Sequence, residues 1–249
     1  MQLRFTVIGA GRWGTFLAWY ADRLGHSVRL FGRESSPRFQ ALASTRSNGL
    51  VELPKRVELV SALGGDTDAV LISVSSQSLR EALLEHAGVL RGKPLVLCMK
   101  GLEMDSGKRL SQIAREVMGP EQPVAVWLGP GHVQEFMRGV PNCMVIDSED
   151  EALKAMLVDA LSGELIRFYY GRDLIGSEIG AAAKNVVGIA AGVLDGLNLS
   201  TLKGALMSRG TREVARLIRA LGGSELSAYG LCHLGDYEAT VFSLYSHNR

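Results

Sequence analysis

The sequence has few cysteines and almost no net charge. Its three cysteines, Cys98, Cys143 and Cys232, are far apart and form no C-x-x-C pair. An odd number of isolated cysteines does not fit a disulfide framework or a zinc site, so we expect no metal and a reduced, cytoplasmic setting. The formal net charge is +1 in 249 residues, which argues against a general nucleic-acid or membrane-surface binder.

The sequence also lacks an apolar run long enough to span a bilayer, which would need about 18 residues or more. The most apolar segment, Ile179 to Leu197, is interrupted by Lys184 and Asp195, so we expect a buried helix of a soluble protein and no membrane partner. The N-terminus enters a strand-like run at Leu3 without a basic segment and a cleavable apolar stretch, so no secretion signal is predicted.

Short β-type runs alternate with amphipathic stretches over the first 170 residues. Continuous apolar strands alternating with helices are typical of a parallel, doubly wound sheet covered on both faces. Residues 174–222 contain no strand-like run and predict two long helices. We therefore predict an α/β dinucleotide-binding domain over residues 1–172 and a helical substrate domain over residues 173–249. The predicted strands are Leu3–Ile8, Ser27–Phe31, Ala69–Val74, Pro94–Met99, Val124–Leu128, Cys143–Ile146 and Ile166–Tyr170.

A glycine-rich turn follows the first predicted strand. Residues 9–14 read GAGRWG and place Gly9, Gly11 and Gly14 in the G-x-G-x-x-G spacing. The first glycine permits a tight turn, the second lets the backbone approach a pyrophosphate, and the third lets the helix pack close to the strand. Strand, motif and helix occur in the required order, so we predict dinucleotide binding. A glycine-rich turn in an unrelated α/β protein would not account for all three spacings.

The residues after the second predicted strand bear on the choice of cofactor. An NAD-specific fold usually has Asp or Glu there, bound to the ribose 2′-hydroxyl. This chain instead has Arg33, which could accept a 2′-phosphate with help from Ser35. The alternative is that Arg33 is a solvated loop residue. The pattern favours NADP, but Glu34 is adjacent, so NADP and NAD both remain open.

One lysine lies within a nearly apolar predicted helix. Residues 179–191 read IGAAAKNVVGIAA, and the lysine is Lys184. Three of its four neighbours at helical spacing are small, which leaves space beside it for a ligand or a second helix. Burial would lower the lysine pKa from about 10.4 toward the range useful for proton transfer. The alternative is a lysine that reaches the surface along the helix. The four neighbours are Gly180, Ala181, Val187 and Gly188.

Several motifs, in order, resemble the NAD(P)-dependent glycerol-3-phosphate dehydrogenase family over nearly the whole chain. The motifs are GAGRWGTFLA at 9–18, MKGLE at 99–103, Gly129-Pro130, EIGAAAKNVVGIAAG at 178–192, Ser208-Arg209-Gly210, and Gly235-Asp236 with Thr240. The resemblance implies a Rossmann-type sheet followed by an all-helical domain like that of 6-phosphogluconate dehydrogenase. It also implies a cytoplasmic oxidoreductase that interconverts dihydroxyacetone phosphate and sn-glycerol 3-phosphate with NAD(P)H. The enzyme would supply glycerol 3-phosphate for phospholipid synthesis.

The resemblance also assigns roles to residues. Lys184 would donate a proton to the carbonyl oxygen, Lys100 would orient or polarise the substrate, and Asp236 would hold Lys184 by a charge-assisted hydrogen bond. The implied substrate-binding residues are Lys100, Gly129, Thr240, His247 and Asn248, and the implied cofactor-binding residues are Gly9, Gly11, Arg12, Trp13, Gly14, Arg33 and Lys100.

The chain departs from the family pattern at several positions. His247 stands where the family has an arginine that binds phosphate, and Gly131-His132 replaces the usual residues after the G-P turn. Ser75 replaces a usual proline. The family normally continues with more helix, so part of the core of this short helical domain is expected to be missing or to be supplied by a partner subunit. We expect a homodimer, because the long apolar helices leave more apolar surface than the short domain can cover.

Two other interpretations remain open. One is a related two-domain hydroxyacid dehydrogenase, such as ketopantoate reductase or a β-hydroxyacid dehydrogenase, which shares the glycine motif and a lysine on a helix. The other is a catalytically weak dinucleotide-binding module, favoured by His247 and the short helical domain. The presence of Lys100, Lys184, Asp236 and Thr240 favours an active enzyme acting on a phosphorylated substrate.

Overall fold

The computed structural model describes residues 1–242, and its centre is an eight-stranded sheet. The strands are β1 (Arg4–Ile8), β2 (Ser27–Phe31), β3 (Glu58–Val60), β4 (Ala69–Ile72), β5 (Leu95–Leu97), β6 (Val124–Leu128), β7 (Asn142–Ser148) and β8 (Ile166–Tyr170). They lie in the order β3-β2-β1-β4-β5-β6-β7-β8. Neighbouring strands are parallel except β6 and β7, which are antiparallel. The predicted doubly wound α/β class is confirmed, with one antiparallel pair in the sheet.

Helices connect the strands and then form the C-terminal part of the described chain. They are α1 (Arg12–Arg23), α2 (Pro37–Thr45), α3 (Leu79–Glu85), α4 (Ala87–Leu90), α5 (Leu110–Met118), α6 (Val133–Met137), α7 (Glu151–Leu161), α8 (Leu174–Gly196), α9 (Ser200–Ala220) and α10 (Asp236–Phe242). Short 3-10 helices lie at Ser76–Ser78 and Glu225–Tyr229, and a turn of π-helix lies at Leu231–Gly235. The predicted change from strands to long helices after residue 172 is confirmed by α8 and α9.

The central strands are mostly apolar because both of their faces are covered by helices. Consecutive residues of a strand point to opposite faces. Val7 of β1 and Leu71 of β4 accordingly belong to one buried cluster, and Ile8 and Ile72 belong to the other. All four side chains are essentially inaccessible to water. This double burial explains why the strands appear in the sequence as continuous apolar runs rather than as alternating ones.

Some elements differ from the sequence prediction, each for a local reason. β3 was not predicted because it is a three-residue edge strand with no fully buried side chain. The short helices α2 and α6 were also missed. The chain between β4 and β5 forms two short helices, α3 and α4, because His86 between them leaves helical geometry at φ −112° and ψ 15°. The direction of β7 could not be predicted, since a buried strand has the same apolar pattern in either orientation.

The long helix α8 is buried on all sides early in its first half, whereas its second half is buried on one face only, at Val187, Gly188 and Ala191. Residues 176–181 are all buried, whereas Val186, Ile189 and Val193 in the second half are more than half exposed. The prediction of a helix buried over its whole length was therefore wrong for its C-terminal half. α8 is also long and apolar enough to cross a membrane by length and composition alone. The core helix of a soluble protein passes the same test, so this property decides nothing.

Candidate active site

The glycine turn is required by steric contacts with its neighbours. Gly9 has φ +113°, and a Cβ there would overlap the carbonyl oxygen of Ser73 at the end of β4. A Cβ on Gly14 would overlap the carbonyl oxygen of Gly9. A Cβ on Gly11 would meet no atom within 4 Å and would project into open space. Gly9 and Gly14 are thus needed by the fold, whereas Gly11 keeps a space clear beside the turn.

The open space beside Gly11 belongs to a cavity of about 280 Å³. Its walls are the glycine turn, the segment after β2 with Arg33, and the segment after β4 together with α3. The cavity fits the adenosine and diphosphate portion of a dinucleotide, because the cradle at Gly11 leaves the backbone open to a phosphate. Ser36 and Arg38, which were not predicted, also line the cavity, whereas the predicted helper Ser35 does not.

A second cavity of about 400 Å³ adjoins the first at Gly11. Arg12 and Trp13 at the start of α1, Lys100 after β5 and Gly129 after β6 line it. Because these segments follow the carboxyl ends of parallel strands, they meet at one edge of the sheet. The second cavity therefore brings together four of the candidate binding residues, Arg12, Trp13, Lys100 and Gly129, at the edge of the sheet where doubly wound folds bind ligands.

A lysine–carboxylate cluster lies between the sheet and α8. The Lys184 ammonium, from α8, donates to Oδ1 of Asp236 at 2.9 Å and to Oγ1 of Thr240 at 2.9 Å. The Lys100 ammonium donates to the other carboxylate oxygen of Asp236 and to the carbonyl oxygen of Gly129. The Asp236 side chain is 4% exposed, so one buried carboxylate is shared by two ammonium groups. The predicted contact of Asp236 with Lys184 is present, and the contact of Asp236 with Lys100 was not predicted.

Lys184 is the titrating group of this cluster. Burial is the main cause that lowers its pKa, and the positive charge of Lys100 lowers it further. The negative charge of Asp236 and its hydrogen bond raise the pKa of Lys184 and partly offset these two causes, so the pKa is about 8. A lysine with this pKa carries a proton at neutral pH and can release it to a nearby oxygen. The cluster can therefore act as a general acid toward a carbonyl group and as a general base in the reverse direction.

The turn before α10 places Asp236 opposite Lys184. The π-helical turn ends directly before Asp236, and its His233 packs against Gly180, one helical turn before Lys184. The ring nitrogen Nδ1 of His233 lies 3.0 Å from the carbonyl oxygen of Gly180. A Cβ on Gly180 would lie only 2.9 Å from the Cβ of His233. The small residue at 180 therefore accommodates the chain segment that carries Asp236, rather than a ligand.

A second buried carboxylate joins α8 to the sheet domain. Glu178 accepts hydrogen bonds from the Ser111 backbone at 2.9 Å, the Ser111 hydroxyl at 2.5 Å and the Arg109 guanidinium at 2.6 Å. These contacts fix α8 to the first turn of α5, which follows the loop that carries Lys100. Sequence reasoning noted Glu178 only as part of a motif. Nothing in its local spacing indicates its partners.

Three further residues from the sequence analysis are His132, His247 and Asn248. His132 was noted only as a departure, but its pKa is lowered mainly by burial, and Lys184, Lys100 and Asp236 are among the charges that act on it. It therefore lies near the cluster. The predicted substrate ligands His247 and Asn248 lie outside the described residues.

Comparisons with known proteins cover nearly the whole chain. The family model described as NAD-dependent glycerol-3-phosphate dehydrogenase N-terminus matches residues 4–154, and the model described as its C-terminus matches residues 173–249. The chain is 43% identical to a glycerol-3-phosphate dehydrogenase (NAD(P)+) of Deinococcus radiodurans over 252 residues, which is 98% of this chain and 74% of the relative. It is 40% identical to one of Mesorhizobium japonicum over 255 residues, covering 98% and 73%.

Solved structures show the same similarity. A glycerol-3-phosphate dehydrogenase from Coxiella burnetii superposes with a TM-score of 0.91 at 28% identity, covering 99% of this chain and 78% of that one. An Enterococcus faecalis protein described as a 2-dehydropantoate 2-reductase has a TM-score of 0.58 at 15% identity, covering 91% and 78%. The second likeness concerns the fold alone.

Proposed function

The chain belongs to the NAD-dependent glycerol-3-phosphate dehydrogenase family, and we propose from this membership how its residues interconvert dihydroxyacetone phosphate and sn-glycerol 3-phosphate. The observation that carries the proposal is Lys184, which has a pKa of about 8 and a side chain only 12% exposed, and which shares Asp236 with Lys100 of the second cavity. NAD(P)H, when bound, supplies the hydride. Lys184 supplies the proton that the carbonyl oxygen takes up as it becomes a hydroxyl group.

The other cluster residues prepare Lys184 for this transfer. Asp236 and Thr240 hold its ammonium group in place, so that one of its protons can point at the substrate oxygen. Lys100 adds a second positive charge near the carbonyl oxygen, where negative charge develops during reduction. After the proton leaves, burial and Lys100 both favour neutral Lys184. In the reverse direction this neutral amine accepts the hydroxyl proton.

We assign cofactor binding to residues 1–172 and the proton-transfer machinery to residues 173–249. The glycine turn, Trp13 and Arg33 support the first assignment because they line the two cavities. Lys184, Asp236 and Thr240 support the second. Lys100 and Gly129 contribute to the substrate pocket from the sheet side. His247 and Asn248 are proposed to bind the substrate phosphate, as the family resemblance implies.

The enzyme is proposed to act as a homodimer. Val186, Ile189, Val193 and Leu197 are each more than half exposed, and their spacings of three and four residues place them on one face of the C-terminal end of α8. Pairing this face with the same face of a second copy would remove it from water. Sedimentation should give a dimer, and Ile189→Asp should give a monomer. A monomeric wild-type protein at micromolar concentration would refute this assembly.

A cytoplasmic location and a role in phospholipid synthesis complete the proposal. Cys98, Cys143 and Cys232 are free thiols, which suits a reducing compartment. The product, glycerol 3-phosphate, is the backbone from which glycerophospholipids are assembled. Depletion of the protein in its host should lower glycerol 3-phosphate, and unchanged levels would contradict the role.

The decisive test is oxidation of NADPH or NADH by the purified full chain with dihydroxyacetone phosphate. We expect turnover with this substrate and no turnover with 2-dehydropantoate or with 3-oxo acids. Preference for an oxo acid would favour the related hydroxyacid dehydrogenases. Cofactor binding without turnover of any substrate would favour a binding module.

A further inference from the structure

A closed loop connects Lys100 to helix α5. Leu102 and Arg109 face each other in an isolated antiparallel bridge, which joins the two ends of the loop. We call residues 100–109 the Lys100 loop. Because the bridge lies only two residues after Lys100, a displacement of Arg109 is transmitted to Lys100 through Leu102.

The sheet domain holds the Lys100 loop through α3 and the turn before it. Arg80 of α3 donates to both carboxylate oxygens of Glu103, at 2.8 and 3.0 Å. The Gln77 side chain donates to the carbonyl oxygen of Leu102 at 2.8 Å and accepts from the Met104 amide at 2.9 Å. The loop is therefore tied to the sheet domain by contacts that do not involve α8.

Glu178 holds the same loop from the side of α8. Its carboxylate accepts from the Arg109 guanidinium at 2.6 Å, and the two side chains are 4% and 14% exposed. A charge-assisted hydrogen bond that is shielded from water in this way is strong and restricts the positions of both groups. Leu102 packs against the buried cluster that contains Ile179, the next residue of α8. The Lys100 loop therefore bridges the sheet domain and α8.

The two ammonium groups of the lysine–carboxylate cluster come from the two sides of this bridge. Lys100 belongs to the loop, whereas Lys184 lies six residues after Glu178 on α8. Asp236 stays with Lys184, because the turn before α10 packs against Gly180 of the same helix. The distance from Lys100 to Lys184 therefore depends on how firmly the loop is attached to α8.

We propose that Glu178 is a positioning residue that acts through Arg109 and the Lys100 loop and sets the distance between the two ammonium groups of the cluster. The inference rests on the proposed function only in treating Lys184 as the proton donor. With Glu178 in place, Lys100 is close enough both to share Asp236 with Lys184 and to add its positive charge to the site. Without it, the loop stays with the sheet domain while Lys184 and Asp236 stay with α8.

The ionisation of Lys184 reports this distance. The positive charge of Lys100 lowers the pKa of Lys184, so a looser loop should raise that pKa. The other titratable groups that act at this site are Asp236 at the start of α10, His132 directly before α6 and His233 in the π-helical turn. None of these three groups belongs to the Lys100 loop, so a substitution at Glu178 should leave their influence on Lys184 in place.

The test follows Lys184 by NMR of the full chain carrying isotope-labelled lysine, and the Lys184→Ala spectrum identifies its signal. Glu178→Gln keeps the size of the side chain but removes the charge that holds Arg109. We expect it to raise the midpoint of the Lys184 titration by about half a pH unit and to lower kcat about tenfold, with cofactor affinity unchanged. In the Lys100→Met background the same substitution should cause no further shift, because the charge that it displaces is absent. Arg109→Lys, which keeps the charge but has a shorter reach, should give a smaller shift in the same direction and replaces Glu178→Gln if that variant does not fold.

Asp147→Asn is the matched control. Asp147 is a buried carboxylate of β7 that accepts from the hydroxyl of Ser177 at 2.7 Å, and Ser177 is the neighbour of Glu178 on α8. It attaches the same turn of α8 to a different element of the sheet domain. The substitution should lower the midpoint of urea unfolding and leave the Lys184 titration at its wild-type midpoint.

Three results would overturn the proposal. They are an unchanged titration midpoint in both Glu178→Gln and Arg109→Lys, an equal shift in Asp147→Asn, and a shift that persists in the Lys100→Met background. The last would mean that the substitution merely exposes Lys184 to water. The titration needs no turnover, so absence of turnover with dihydroxyacetone phosphate would refute the proposed function alone, and an unchanged midpoint in an active enzyme would refute this inference alone.

Discussion

The dinucleotide cavity and the lysine–carboxylate cluster adjoin each other, yet the chain builds them in different ways. The cavity depends on six consecutive residues, 9–14, in which backbone contacts require Gly9 and Gly14 and the absence of a side chain at Gly11 leaves open space. The cluster depends on side chains that are far apart in sequence: Asp236 is 136 residues from Lys100 and 52 residues from Lys184. The cavity is shaped by steric constraints on the backbone, whereas the cluster is held together by attraction between charged side chains. They should therefore fail in different ways when they are altered.

The largest expected effect is loss of the proton donor. Lys184→Ala should lower kcat by two or more orders of magnitude, because a positioned general acid typically contributes about 10²–10⁴-fold to the rate. Binding of NADPH should change little, since the glycine turn does not touch this lysine. Steady-state kinetics with dihydroxyacetone phosphate and a separate cofactor titration measure the two effects.

Lys203→Ala is the matched control for this substitution. The Lys203 side chain is 12% exposed, like that of Lys184, and it also pairs with an aspartate, Asp195, which is not one of the cluster residues. It should keep near-native kcat even if it is less stable. If Lys184→Ala retains near-native turnover as well, Lys184 is structural and the proposed mechanism is wrong.

The next effect separates two glycines of one motif. Gly9→Ala forces a Cβ into the carbonyl oxygen of Ser73 at a positive φ, so it should destabilise the fold by about 1–3 kcal/mol, the usual scale of overpacking and backbone strain. Gly11→Ala meets no atom within 4 Å and should leave the free energy of unfolding nearly unchanged while weakening NADPH binding. Urea unfolding and cofactor titration of both variants measure this. Equal destabilisation by the two substitutions would contradict the division of roles.

The same contrast explains how much the sequence could predict. The glycine turn is local, so its spacing was sufficient to identify it, and the predicted strands β2, β6 and β8 have the observed bounds. Lys184 could also be singled out as a candidate, because one charge in an apolar helix is visible in the sequence. Arg38, which lines the cavity beside the glycine turn, was missed, since the packing of Phe39 on Gly32 brings it there.

Contacts between distant segments account for the remaining misses. The shared carboxylate of Asp236 and the attachment of Glu178 to Ser111 and Arg109 depend on how α8 packs against the sheet. No period or spacing in the sequence determines that packing. His233 illustrates the limit: the residue is visible in the sequence, but its contact with Gly180 is a property of the folded chain.

The smallest expected effect concerns the pH dependence of the cluster. Reduction needs protonated Lys184, so its rate should fall as pH rises through about 8, by about tenfold per unit well above that value. Oxidation of glycerol 3-phosphate needs the neutral amine and should rise through the same range. The substrate's own phosphate ionises near pH 6 and is corrected with a substrate titration.

Two substitutions should move this midpoint in opposite directions. The positive charge of Lys100 lowers the pKa of Lys184, so Lys100→Met should raise it and carry the fall in the reduction rate to higher pH. The charge of Asp236 raises that pKa, so Asp236→Asn should move the fall to lower pH. Each shift should be about one unit or less, because burial, the largest cause, remains in both variants. Both variants will also lose turnover, so the pH at the midpoint is compared rather than the rate. If the two residues had only a structural role, both substitutions would lower the rates and leave the midpoint at its wild-type pH. If both substitutions moved the midpoint in the same direction, Lys100 and Asp236 would not act on Lys184 through opposite charges. Those opposite charges are what distinguishes this cluster from the glycine turn.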